Sequence, residues 1–415
     1  MINRLTLVSV CLFSSGLIAQ TTPEAELEQA RIAAREAQSR TELEEKARDR
    51  KQATLTPDEL TKTEETLNLV KDKRVLERFS DGIKGFRFLF GGLATNSGFA
   101  AGMEYHKDLG KSAWEFRSSG RLSTRLWQLY DLELATPERS SRRRFGSFKV
   151  QHRNFASVNY YGPGPDSEKN GRSTFRLEDT IYETRGGLQP FKNFRVAGDF
   201  GFHQVNVGPG TDRRYASSEQ LYNPPGMQRQ SDFTRIAFDA SYDWRDIPGT
   251  PRDGGLYKIR HSWFHDQDIG RYSFRRFDME AQHYFGFFND RRVIALRAKS
   301  TLAWAKAGQS VPFFFQPTVG GSDDLRGYRA FRFYDDNSFL MTAEYRWEVF
   351  TGLDMAVFTD AGKVFPKRSQ LNFKDLESAV GFGFRFNARN SVFMRVDVGF
   401  SHEGFQVWFK FNNAF

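Results

Sequence analysis

Three groups of residues have the types and spacing to do chemistry, and none of them spells out bond-breaking. From Val319 to Tyr334 the chain reads V-G-G-S-D-D-L-R-G-Y-R-A-F-R-F-Y. There Leu325, Arg326, Gly327 and Tyr328 place a guanidinium beside a glycine, with carboxylates just before it and aromatics after it. A water-exposed loop is ordinarily small and polar, so Phe, Tyr and Arg here suggest a segment that packs against something, with a charged exposed loop as the other reading of these residues alone. His261 and His265 fall on one strand face, but four residues along a strand separate them by about 13 Å, too far to share a metal ion. Carboxylates are plentiful, yet no pair is set apart for acid–base work, and no G-x-S-x-G elbow supplies a nucleophile. Gly208-Pro209-Gly210 and the Tyr161–Pro165 run are loop punctuation. The sequence therefore predicts no enzyme, no cofactor and no metal. The chemistry left is ion pairing and hydrogen bonding in a sheltered place.

The elements that would provide such a place follow from composition. The 415 residues include 42 Phe and 15% aromatics, yet the mean hydropathy is only −0.59. A sheet with one apolar face and one wet face reconciles the two. The single cysteine, Cys11, lies in an apolar run from Leu5 to Ala19 that follows Arg4, the pattern of a secretory signal over residues 1–19. Beyond it no stretch approaches the ~20 apolar residues of a spanning helix, so a membrane protein here must be a barrel. The net charge of +9 does not imply nucleic acid. Basic residues alternate with aromatics along strands and fit a wet lumen or anionic lipid head groups.

Residues 20–79 read as a short α-helical periplasmic segment, with interleaved charges to Lys51 and a second start at Thr56-Pro57-Asp58-Glu59. From residue 80 to 415 the period is two. Ile236, Phe238, Ala240, Tyr242 and Trp244 alternate with Arg235, Ala237, Asp239, Ser241 and Asp243. The same pattern runs through Phe339–Val349 and Val392–Phe400. Alternating segments fall near 83–92, 98–107, 112–119, 122–134, 143–155, 173–186, 190–206 and 232–244. Others lie near 255–266, 272–287, 291–305, 336–350, 353–361, 378–387, 391–400 and 404–413. The fold expected is an all-β, about sixteen-stranded antiparallel transmembrane β-barrel, with an even strand count as single-chain barrels require. The long connections 156–172, 207–231, 306–335 and 362–377 all follow odd strands in this count, consistent with both ends of the barrel being periplasmic. The exception is 245–254.

Four motifs then resemble those of the bacterial surface antigen family, the barrels of BamA/TamA-type insertases and two-partner secretion transporters. Asp243, Arg245 and Asp246, followed by Pro251 and Gly254-Gly255, resemble its D-x-R-D…P…G-G periplasmic turn. Leu325-Arg326-Gly327-Tyr328 resembles its [VI]-R-G-[FY] loop, with Leu as a mild departure. Phe358-Thr359-Asp360-Ala361-Gly362 matches F-x-D-x-G, and Gly381-Phe382-Gly383-Phe384-Arg385 resembles the G-x-G-x-R strand. The resemblance implies that the loop folds back into the lumen and that Arg326 meets Asp360. Strand parity points Asp360 inward, opposite to Met355 and Val357, and points Glu344 inward on the neighbouring strand. The last strand, with Phe409, Phe411 and the terminal Phe415, resembles the signal by which such barrels are recognised for insertion.

The resemblance implies a place in the bacterial outer membrane and a part in assembling, inserting or translocating other proteins. The expected route is a seam between the first strand (Gly82 to Gly92) and the last. Family members carry polypeptide-binding modules before the barrel, and residues 20–79 are too short for one, so a short member is expected. Two other readings stay open: a passive pore or transport channel, and a structural barrel that anchors a periplasmic partner through its N-terminal helices. The partners expected are outer-membrane lipids, unfolded outer-membrane or secreted proteins, and a periplasmic protein at those helices, with no nucleic acid.

Overall fold

A computed structural model describes residues 84–110, 114–136, 144–350, 352–388 and 391–411, together with Glu28 and Arg31, both helical. The expected signal peptide, the rest of the 20–79 segment and Phe415 lie outside the described residues.

The alternation produces the wall. Its first eleven strands are β1 (Phe86–Gly91), β2 (Ala100–Asp108), β3 (Glu115–Ser123), β4 (Gln128–Ala135), β5 (Arg144–Tyr160), β6 (Ser173–Phe191), β7 (Phe194–Pro209), β8 (Phe233–Asp243), β9 (Gly254–Asp266), β10 (Phe274–Phe287) and β11 (Arg292–Ala305). After a miniature ribbon, β12 (Thr318–Val319) with β13 (Phe333–Tyr334), come β14 (Asn337–Phe350), β15 (Leu353–Phe365), β16 (Glu377–Ala388), β17 (Ser391–Ser401) and β18 (Gly404–Phe411). The sixteen wall strands form one sheet in sequence order, each antiparallel to the next. The order ends at β1 and β18, which form no ladder with each other among the described residues. They are neighbours all the same: the rings of Phe99 and Phe411 lie 6.2 Å apart, and a Cβ placed on Gly91 falls 3.1 Å from that of Phe411.

Ile236, Phe238 and Tyr242 on β8 stand exposed on the outer face, while Ala237 and Asp239 are buried inside. The long connections 161–172, 210–232, 306–336 and 366–376 all leave one end of the barrel, the extracellular end by the usual asymmetry of such barrels. There the lumen is capped by a buried aromatic cluster of Phe155, Tyr160, Phe175, Phe233, Phe264 and Phe274 from the strands, with Phe313 and Tyr334 from the 306–336 connection. Phe313–Phe315 form one tight helical turn, and the Tyr160 ring meets Phe313 at 5.4 Å and Tyr334 at 4.9 Å, both edge-on.

Sequence expectations are corrected in two ways. The alternating segment near 122–134 is broken: Ser123 ends β3, β4 begins at Gln128, and 124–127 is a turn with Leu126 in the left-handed region (φ 61°). Trp127 is drawn inside instead, stacked on Phe155 at 4.4 Å. The segments near 143–155, 173–186 and 353–361 run on to Tyr160, Phe191 and Phe365, because their added residues keep pairing with the neighbouring strands, as Ala361 to Phe365 do with β14.

Candidate functional site: a loop held in the lumen

The β12–β13 ribbon pinches off residues 320–332, which fold inward instead of standing out in solvent. Val319 pairs with Phe333, and Gly320 and Gly321 (φ 116° and 119°) turn the chain in a region closed to most other residues. At the tip, Arg326 is almost wholly buried, at 3% exposure. Its Nε and Nη2 donate to the two oxygens of Asp360 at 2.9 Å each, and its backbone N–H donates to the same carboxylate at 3.1 Å. Nη1 donates to Glu344 Oε2 at 2.7 Å. The guanidinium lies flat over the Phe358 ring, 3.3 Å from its centre. A planar fork with a carboxylate on each side and an aromatic face beneath is the geometry only arginine fills.

The carboxylates belong to a larger network. Glu344 also accepts from Arg346 Nε (2.6 Å) and from Arg385 Nη2 (2.9 Å) and Nε (3.2 Å). Arg385 Nη1 reaches Asp397 at 2.5 Å, and Arg395 pairs with Asp397 at 2.8 Å while donating to Ser322 O at 2.6 Å. Asp360 has a smaller set: besides Arg326, among the described residues it accepts only from Thr342 Oγ1 at 3.0 Å.

The glycines of the motifs are spaces. A Cβ on Gly381 would lie 2.4 Å from the Phe358 ring and 2.2 Å from Val398 O; one on Gly383 would lie 2.2 Å from Asp397. Gly399 does the same for the loop, since a Cβ there would meet Arg326 O at 2.4 Å. Gly327 lies against the Phe400 backbone, where a Cβ would approach to 2.7 Å. Gly362 lies as close to the Phe339 carbonyl on β14. Side chains at these positions would displace the ring and the loop it supports.

Leu325 and Tyr328 are fully buried beside Leu340, Val364 and Ala379. The Tyr328 hydroxyl donates to Glu377 at 2.5 Å and lies 3.0 Å from His402 Nδ1. Farther round, Ser401 Oγ donates to Gly327 O (2.9 Å) and Trp408 Nε1 to Arg326 O (2.8 Å), so β17 and β18 hold the loop too. Asp323 lies across the seam: its carboxylate accepts from Lys410 Nζ on β18 at 2.8 Å and from Thr95 Oγ1, between β1 and β2, at 3.2 Å.

The remaining sequence-predicted residues lie apart from this centre. Arg245 grips Asp243 in a bidentate pair (2.9 and 2.8 Å). Asp246 accepts the backbone N–H groups of Arg252 and Asp253 at 3.0 and 3.3 Å. These bonds fasten the 244–253 connection to itself. Arg252 also reaches Asp354 (3.0 Å), tying the turn to β15. Phe409 is exposed on the outer face, and Phe411 stands at the seam.

Sequence reasoning missed Thr342, Arg346, Arg395, Asp397 and Trp408 as partners. All lie at inward parity on their strands, but parity does not say which inward residues meet across a lumen. It also missed His106, Asp108 and Glu115, which bring ligand-type atoms within 4.8 Å of one another on the β2–β3 hairpin. Arg117, 3.9 Å from Glu115, supplies an opposing charge there.

These features define a class: an antiparallel β-barrel of the bacterial outer membrane with an extracellular connection folded into its lumen. The Omp85 superfamily domain matches residues 109–404, and the chain belongs to that superfamily. Among solved structures it is similar to BamA from Haemophilus ducreyi lacking POTRA domains 1–3, at 13% identity and a TM-score of 0.58, over 79% of this chain and 70% of that one. It is also similar to CdiB from Escherichia coli, at 12% identity and a TM-score of 0.52, over 77% of this chain and 60% of that one. At these identities the likeness is one of fold. No curated protein matches the chain by sequence.

Proposed function

We propose that the barrel takes part, without enzymatic chemistry, in inserting or translocating other proteins at the outer membrane, using the seam between β1 and β18. The observation that carries this reading is the break in an otherwise continuous ladder: among the described residues every other pair of neighbouring wall strands is hydrogen-bonded, and this one is not. An unpaired edge is a template for an incoming strand. β1 is also the shortest wall strand, at six residues. Superfamily membership and the likeness to BamA and CdiB support the reading. The lumen loop, anchored on both sides of the seam, would set how readily it parts. Unfolded outer-membrane or secreted chains are the substrates proposed.

The test is to lock the seam. Gly91→Cys with Phe411→Cys places the two Cβ atoms 3.1 Å apart, close enough to oxidise after a small adjustment. Because Gly91 has φ 137°, the reduced double variant is the control for strain. Proteoliposomes holding the wild-type chain should speed the folding of a test barrel; the oxidised variant should lose this and regain it with reductant. A wild-type chain with no such activity, or an oxidised variant that keeps it, overturns the reading. Steady single-channel conductance in that outcome would favour the passive pore, against which the aromatic cap now stands.

A further inference from the structure

The arginines of the central network face the lumen and are paired. Arg275 and Arg368 are exposed and make no ion pair among the described residues. Arg275 stands on the outer face of β10, in register with Trp263 on β9 and Trp304 on β11. Arg368, from the 366–376 connection, lies over that same Trp304, 4.5 Å from the ring. One guanidinium thus lies over this indole and a second arginine stands in register with it, in the aromatic belt at the extracellular end, where a bare cation on the lipid side is tolerated but gains from an anion.

The 366–376 connection does not stand up into solvent. Lys363, at an outward position of β15, is buried at 7% exposure because it donates to Asn372 Oδ1 (2.8 Å) and Lys374 O (2.9 Å) in that connection. Phe373 then packs on the outward ring of Phe339 at 5.7 Å. Pinned down in this way, the connection walls a groove of about 510 Å³ on the lipid-facing surface. The groove floor is the cross-strand pair Ala281 and Ala298, flanked by Ile259, Met279, Phe339 and Phe373. Ala281 is six residues along β10 from Arg275, about 20 Å of strand, the reach of an extended acyl chain.

We propose that this groove seats one acyl chain of a phosphate-bearing lipid of the outer leaflet, and that Arg275 and Arg368 bind its phosphate. A guanidinium fork matches phosphate oxygens in shape and charge, and the alanine floor leaves room that the bulkier residues around it would fill. An apolar slot on the same outward face as two cations that make no ion pair among the described residues, one of them on the connection that walls the slot, argues for a lipid over a protein segment.

Native mass spectrometry of the full chain in detergent tests this, with lipid A and dioleoylphosphatidylglycerol as two phosphate-bearing probes and diacylglycerol as the phosphate-free one. The wild type should retain one phosphate-bearing lipid, and the two probes distinguish a saccharolipid from a phospholipid source. Arg275→Gln with Arg368→Gln should lower that retention by about tenfold or more and leave diacylglycerol unchanged. Ala298→Phe, which fills the slot from the lipid side, should lower retention of all three, with Ala281→Phe as a second filling variant if the first does not fold. A wild type that retains neither phosphate lipid, a charge variant that binds as well as the wild type, or a filled groove that makes no difference overturns the proposal.

Discussion

Replacing Arg326 with Ala removes one side chain from three carboxylates with unequal reserves; Asp397, the most distant at 3.7 Å, keeps Arg385 and Arg395. Glu344 keeps Arg346 and Arg385, at 2.6 and 2.9 Å. Among the described residues Asp360 keeps only the Thr342 hydroxyl at 3.0 Å and a backbone N–H. The cost therefore falls on Asp360, a carboxylate with 0% exposure, and breaking such a buried pair from one side costs about 3–5 kcal/mol. Asp360→Asn in the wild-type background leaves Arg326 with Glu344 and the stacked Phe358 ring, so its cost should be smaller, about 2 kcal/mol. In the double variant no charge is orphaned at Asp360, and the two losses should fall short of their sum by about 1.5–3 kcal/mol. Arg326→Lys should recover little, because an ammonium cannot bond both oxygens of Asp360 in a plane while lying over the ring. The measurement is the urea midpoint of the heat-modifiable gel band in detergent, with protease cleavage within 320–332 as a direct report on the loop. Additivity within about 0.5 kcal/mol, or an Arg326→Ala protein indistinguishable from the wild type by both readouts, would refute the assignment of the loop to this seat.

Gly381→Ala should destabilise the barrel by about 1–3 kcal/mol through overpacking against Phe358, and Phe358→Leu should relieve part of it; the same urea midpoint reads both. Phe313→Ala should open the extracellular cap while the wall stays folded, seen as higher conductance in planar bilayers and faster proteolysis between residues 306 and 336. In that same connection, burial holds the Asp335 carboxyl up at about 6, with the backbone N–H of Asp336 opposing and the charge of Asp336 adding. A carboxyl whose folded value lies above its unfolded one binds its proton more tightly when the loop is ordered. Loop order should therefore strengthen as pH falls through about 6 towards 4, by up to about 3 kcal/mol, and be weaker at pH 7.5. Protease protection at pH 5 against pH 7.5 should show the difference, and Asp335→Asn should flatten it.

The wall was legible because lipid and lumen impose opposite demands on alternate residues. β8, β14 and β17 announce themselves by Ile236 to Trp244, Phe339 to Val349 and Val392 to Phe400, and connection lengths supply the polarity. The same alternation misled at Thr124 to Trp127, where the pattern continues but the chain turns so that Trp127 can stack on Phe155, a contact made by tertiary structure alone. Strands as short as β12 and β13, two residues each, have no period to read. Phe313-Phe314-Phe315 is an apolar run without a period, equally suited to a strand or a cap. At the loop seat, parity and the family motifs indicated Arg326, Asp360 and Glu344. Parity could not indicate Asp397 or Trp408 as partners, because it says which residues face inward and not which of them a loop seated two or three strands away will meet.

Among the bonds of the Asp323 carboxylate, one comes from Lys410 on the last strand and one from Thr95 beyond the first. Drawing those strands apart must give up at least one of the two bonds, so a parted seam holds the loop less tightly. Free-energy linkage makes the effect mutual: whatever factor separation takes from the loop's affinity for its seat, displacing the loop returns to the ease of separation. With each such bond contributing about 1–2 kcal/mol, that factor is roughly tenfold. Whatever parts the seam is thereby felt by the loop at the centre of the lumen. Whatever displaces the loop is felt, by the same factor, at the seam.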